Sequence, residues 1–245
     1  MDAKTLVFDI ETFPIVAYVW GLKDQNIGLN QIKDDSSIAA WGAKWLGEAP
    51  VMYQDRRNMS ERSLLKGIWK LLDEADVVIT QNGKSFDSKR LNARFIHYGM
   101  KPPKPYRHID TYLLAKHAAD FTSNKLEYLT KTLCKKYQKT SHPKYPGMEL
   151  WKGCLNGDKA AWDEMKGYNI GDVLSTEELY ERLKPYGPKN MPRLYLSPSR
   201  CKLCGSETQR RGYDKSGKTI VQRVRCKSLD CGKWDTELLP KKETK

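Results

Sequence analysis

The chain has 245 residues, 39% apolar content and a formal net charge of +13, which suffices for one ordinary domain plus a small one. No apolar run approaches the ~20 residues that span a bilayer, and the N-terminal MDAKTLVFDIETF lacks the basic-then-apolar order of an export signal. A soluble, cytosolic protein with no membrane partner is expected. The surplus positive charge points to a polyanionic partner, with nucleic acid the first candidate. It is concentrated: residues 185–245 carry 15 Lys+Arg against 6 Asp+Glu.

In chain order, TLVFDIE from Thr5 reads as a buried strand, and IVAYVWGL from Ile15 and SIAAWGAKWLG from Ser37 as two more, which predicts an opening antiparallel meander. Ser60 to Asp73 carries Leu64, Leu65, Ile68, Leu71 and Leu72 at helical spacing, followed by the short apolar strand Val77-Val78-Ile79. A helix is predicted from Asp87 to Tyr98, with Gly99 suited to its C-terminal cap. A KPPKP loop and a short strand at His108-Ile109-Asp110 come next, and two or three further helices fill Thr111 to Leu183. The stretch Lys184 to Pro192 has three prolines and a glycine, so no helix or central strand continues through it. Strands first, then alternating strands and helices, give a mixed α/β sheet with helices on its faces.

Asp9 and Glu11 lie two apart on the first strand, and period-two geometry points both carboxylates to one face. Asp87 follows Asn82-Gly83-Lys84-Ser85-Phe86 between a strand and a helix, where a carboxylate also serves as an ordinary N-cap. Tyr168 and Asp172, in YNIGD, share one helix face at i, i+4. Each pattern is common alone. Together, FDIET, N-x3-FD and YNIGD in that order resemble the DEDD 3′–5′ exonucleases, in particular the tyrosine branch that includes the proofreading domains of family B DNA polymerases. The histidine branch would place a histidine where this chain has Gly167.

The resemblance covers roughly residues 1–184 and implies a ribonuclease H-like fold and an exonuclease acting on single-stranded nucleic acid, DNA favoured and RNA allowed, in the cytoplasm of a bacterium or of a phage-infected cell. Carboxylates converging on one pocket repel, and divalent cations make their joint ionisation tolerable; oxygen ligation suits Mg²⁺ or Mn²⁺. The family expectation is two such ions. Asp9 would bridge both, Glu11 and Asp172 would hold the one nearer the nucleophile, and Asp87 would support the second through water. Tyr168 would orient the attacking water, since a phenol with a pKa near 10 is a poor base at neutral pH. Asn82 and Phe86 are carried as substrate-binding candidates, although Asn82 equally suits a loop-stabilising Asx turn and Phe86 reads first as core. The four histidines and Asp110 fall outside the catalytic set.

Four of the six cysteines form Cys201-x2-Cys204 and Cys226-x4-Cys231, separated by a stretch that reads as two strands joined by a Gly-containing turn. A zinc ribbon with one structural Zn²⁺ fits, because so short a segment cannot bury enough apolar surface to fold unaided; disulfides are the rival, disfavoured in the cytosol. Arg210, Arg211, Lys215, Lys218, Arg223 and Arg225, with Tyr213 and Trp234, suit contact with single-stranded nucleic acid; docking of a replication protein is the alternative. The expected division is an exonuclease domain over 1–184, a linker over 185–197 and a zinc ribbon over 198–245. Two other readings use the same residues: a catalytically silent nucleic-acid-binding or replication-assembly protein, which the intact carboxylate set speaks against, and an RNA-processing nuclease on the same fold.

Overall fold

The computed structural model describes residues 3–139, 142–188, 200–201, 203–216 and 219–238. Strand β1 (Thr5–Phe13) is apolar on both sides because it runs through the middle of a five-stranded sheet covered on both faces by helices. Leu6, Phe8 and Ile10 pack with Leu64, Leu65, Ile68 and Leu72 of α1 (Glu61–Glu74) and with Leu91 and Phe95 of α2 (Asp87–His97). On the opposite face, Val7 joins a cluster with α3 (Thr111–Ala118), α4 (Leu126–Leu133) and the C-terminal half of α6 (Lys159–Leu183). Further along that face, Phe13 joins Leu150 and Cys154 of α5 (Glu149–Leu155) and Ala161, Trp162 and Met165 of α6. The odd-numbered Asp9 and Glu11 therefore emerge between two apolar clusters, on the α6 side.

Around β1, strand β4 (Ser37–Trp45) is antiparallel, with β5 (Met52–Asp55) outside it, while β6 (Val77–Thr80) and β7 (Arg107–Asp110) are parallel on the other side. The order β5-β4-β1-β6-β7 makes a mixed sheet flanked by helices, the class that the sequence predicts. A buried carboxylate ties the α1/α2 layer to the sheet: Glu61 accepts from the Ile38 N–H at 2.8 Å, from the Arg94 guanidinium and from the Tyr98 hydroxyl.

One expected strand is corrected. The run from Ile15 is not the second strand of the meander; its β2 (Val16–Ala17) pairs only with β3 (Ile32–Asp34), in an excursion between β1 and β4. Its apolar side chains meet solvent, with Tyr18 69%, Trp20 98%, Leu22 99% and Leu29 87% exposed. The place beside β1 is taken by β4, and the third strand is β5, which the sequence reading omits.

Helix α6 begins at Asp158, whose side chain accepts from the Ala160 and Ala161 N–H groups. Its buried stripe runs Trp162, Met165, Asn169, Asp172, Val173, Thr176, Leu179, Tyr180 and Leu183, at the spacing of one helix face. Asn169 and Asp172 are thus polar residues set into a core-facing stripe. The helix ends at Leu183 before Pro185, and residues 189–199 of the expected linker lie outside the described residues. The C-terminal strands β8 (Thr208–Ser216), β9 (Thr219–Cys226) and the unforeseen β10 (Trp234–Leu238) form a separate sheet of order β10-β9-β8. No helix among the described residues is long and apolar enough to cross a membrane.

Candidate metal centre

The long α6 crosses the sheet where β1 and β4 present Asp9 opposite Gly42. The helix approaches closely there because Gly42 has no side chain: an added Cβ would collide with Asn169 Oδ1 and meet Val173 Cγ2 at 3.1 Å. At this crossing Asp9, Glu11 and Asp172 offer carboxylate oxygens that lie within 4.8 Å of one another. Glu11 and Asp172 are buried. Asp87 lies outside that group of three; it is buried at the start of α2, and its Oδ1 accepts the Ile10 N–H at 3.2 Å, between the two β1 carboxylates.

The electrostatics are those of crowded anions. Burial, then the charges of Asp87, Asp172 and Glu11, hold the Asp9 carboxyl well above the usual carboxylate range. Burial, followed by the Asp172 charge, pushes Glu11 to about 8, against the pull of Lys139 and of a hydrogen bond from the Trp151 indole. Burial raises Asp87 to about 7, and raises Asp172 in spite of Lys139. Asp172 Oδ1 is buried without a hydrogen-bond partner. A hard, oxygen-only donor set with surplus negative charge and an orphaned carboxylate oxygen fits a divalent cation such as Mg²⁺ or Mn²⁺.

Several neighbours were not legible in the sequence. Lys139, ahead of α5, donates to Asp172 Oδ2, and its ammonium lies 4.4 Å from the centre of the Tyr168 ring. Burial alone would lower the Lys139 pKa, but Asp172 and Tyr168 hold it above the ordinary lysine range. Asn169 Nδ2 donates to Asp9 Oδ2 at 2.8 Å and is itself fully buried. His142, which the sequence reading leaves outside the catalytic set, stands edge-on to both Tyr168 and Trp151, at centroid distances of 5.2 and 5.5 Å. Tyr168 is raised to about 12, chiefly by burial and next by Asp172.

The second motif sits in a tightly tied loop. Asn82 has a left-handed backbone (φ 60°), its Oδ1 accepts from the Ser85 hydroxyl at 2.7 Å, and its N–H donates to Asp110. Asp110 also accepts from the Lys84 and Tyr112 N–H groups, so it shapes this loop and caps α3. Phe86 departs from its expected core position: it is 39% exposed, and the Arg90 guanidinium lies 5.5 Å from its ring centre. The turn that starts α2 lifts its ring off the sheet, while the next residue, Asp87, points inward.

In the C-terminal sheet, Cys201, Cys204, Cys226 and Cys231 form a second cluster within 4.8 Å. The Sγ atoms of Cys201 and Cys231 are 3.7 Å apart and those of Cys204 and Cys226 3.4 Å, and none forms a disulfide. Four thiolates about 2.3 Å from a tetrahedral zinc would sit ~3.8 Å from one another, so the cluster fits Zn²⁺.

Comparison with known proteins agrees with the architecture. The family model of the RNase H superfamily matches residues 6–184. A search of the curated proteins finds no match. Among solved structures, the family B DNA polymerase of the hyperthermophilic archaeon Pyrobaculum calidifontis is similar in fold, with a TM-score of 0.57 at 15% identity. The match covers 90% of this chain and 32% of the polymerase chain, so the chain spans about a third of that protein.

Proposed function

Because the chain belongs to the RNase H superfamily, we propose that its acidic centre is that of a 3′–5′ exonuclease of the tyrosine DEDD branch, hydrolysing phosphodiester bonds of single-stranded nucleic acid with DNA favoured. The observation that carries this reading is the convergence of Asp9 and Glu11 from β1 with Asp172 from α6, with Tyr168 one helical turn before it. The fold likeness to a DNA polymerase adds support. Residues 1–184 would form the catalytic unit, 185–197 the linker and 198–245 a zinc ribbon held by Cys201, Cys204, Cys226 and Cys231.

Asp9, Glu11 and Asp172 would hold two Mg²⁺ or Mn²⁺ ions, with Asp87 in support. Bound there, the cations supply charge neutralisation, Lewis acidity toward a phosphodiester and a water of lowered pKa. The chain's own residues do the rest. Asn169 fixes one oxygen of Asp9 and leaves its other oxygen for ligation. Asp87, by accepting the Ile10 N–H, sets the β1 backbone between the two carboxylates. Lys139 orients Asp172 and holds positive charge beside the reacting phosphate. Tyr168 keeps its phenolic proton at neutral pH and therefore orients water rather than accepting a proton.

The test is degradation of 5′-labelled single-stranded DNA and RNA of equal sequence, with Mg²⁺, with Mn²⁺ or with neither, beside Asp9→Ala. A cation-dependent ladder shortening from the 3′ end, absent in the variant, is expected. Failure of both strands to shorten in either metal would remove the reading in favour of a binding protein on this fold.

A further inference from the structure

The C-terminal sheet has two unlike faces. Residues opposite one another on antiparallel strands share a face, and Trp234 of β10 lies opposite Arg225 of β9, while Thr236 lies opposite Arg223. Period two then puts Arg223, Arg225, Trp234 and Thr236 on a single face, while the intervening Val224 and Cys226 are buried toward the cysteine cluster. Trp234 is 48% exposed. The guanidinium carbons of Arg223 and Arg225 lie 4.8 and 5.7 Å from its ring centre, so one aromatic face stands beside two cations. Gly232, whose φ of 53° suits glycine, passes by with only the tip of Arg225 within 4 Å of where a Cβ would stand, leaving this edge of the sheet low.

We infer that Arg223, Trp234 and Arg225 form a second nucleic-acid site, separate from the acidic centre, that binds one unpaired base of a single strand by stacking and its flanking phosphates by the two guanidinium groups. The inference deepens the proposed function and takes its ligand class, single-stranded nucleic acid, from it. Three features select this ligand over an apolar protein surface. The face joins an aromatic plane to two cations. A tryptophan already paired with arginine loses little side-chain freedom on stacking. The surrounding segment, 185–245, holds most of the chain's net positive charge. A duplex base is not available to such a ring, so the site discriminates strandedness without reading sequence.

The experiment measures binding apart from hydrolysis. The full chain carrying Asp9→Ala, with zinc content measured and no Mg²⁺ or Mn²⁺ added, is titrated against fluorescein-labelled oligothymidylate and against a blunt duplex, at several salt concentrations, by fluorescence anisotropy. Trp234→Ala in this background should weaken single-strand binding roughly tenfold, with zinc retained and the salt dependence unchanged. Trp234→Phe should restore most of the affinity. Arg223→Met with Arg225→Met should lower the slope of log K against log salt by about 1, the value for one to two lost phosphate contacts on a single strand. Unaltered affinity in Trp234→Ala together with an unaltered slope in the double arginine variant would overturn the inference, as would equal loss of duplex and single-strand binding. Should the unsubstituted chain hydrolyse nothing, the exonuclease reading falls while these titrations still decide the role of Trp234.

Discussion

Withholding the divalent cation should make the acidic centre a source of pH-dependent instability, and Glu11 is the residue on which to measure it. Its carboxyl rises from an ordinary 4.5 to about 8 in the fold, through burial first and the Asp172 charge second. Below pH 4.5 it is protonated in both the folded and the unfolded chain. As pH climbs from 4.5 toward 8, the unfolded chain releases this proton while the folded chain keeps it, so stability falls through that window. A shift of this size corresponds to roughly 5 kcal/mol, at about 1.4 kcal/mol per pH unit. Urea unfolding at pH 5, 6, 7 and 8, with Mg²⁺ and Mn²⁺ withheld, should show the wild-type chain losing several kcal/mol. Glu11→Gln keeps the shape without the titration and should lose less, by an amount of that order. Adding Mn²⁺ at pH 8 should restore wild-type stability and do little for the variant. Superimposable pH profiles for the two chains would refute the electrostatic argument.

Asp9→Ala or Asp172→Ala should abolish hydrolysis while circular dichroism and zinc content stay those of the parent; retained cleavage in both would defeat the carboxylate assignment. Lys139→Met should lower kcat more than tenfold and loosen Asp172, seen as a changed Mn²⁺ requirement, whereas an unchanged rate would make the Asp172 contact incidental. Gly42→Ala forces a methyl against Asn169 and should cost about 1–3 kcal/mol of stability by overpacking, together with activity; a variant of parental thermal midpoint would mean that α6 has slack at the crossing. Cys201→Ser with Cys204→Ser should release zinc and melt the C-terminal sheet, and unchanged zinc content would reject the four-thiolate site.

What the sequence disclosed, and what it hid, divides along the range of the interactions. β1, α1, β6 and α2 were legible because their apolar periods are local, and Asp9, Glu11 and Asp87 were legible because they ride on β1 and α2 ahead of the YNIGD motif of α6. The run from Ile15 was misread for the opposite reason. Its apolar residues look like those of a central strand, but a strand's place depends on which neighbour claims the sheet edge, and β4 claims it. β5 escaped notice because MYQD is short and half-buried throughout, with no alternation to read. Lys139 is one lysine in a lysine-rich stretch, and its partner is 33 residues away. Asn169 left one trace, as a polar residue on the buried stripe of α6 between Met165 and Asp172. Trp151 left none, because only the folded chain brings α5 beside Glu11.

The distance along the chain between the parts of the centre has a consequence for the cell that makes it. Asp9 leaves the ribosome about 160 positions ahead of Asn169 and the helix that carries it with Asp172, and synthesis runs at roughly 5–20 residues per second. For that interval, and in any chain left unfinished before α6, the strand that carries two carboxylates lacks both the Asp172 carboxylate and the Asn169 amide that holds Asp9. On the proposed function, a chain that stops before α6 would be inert, and hydrolysis beside the message and ribosome would wait until that helix has been made.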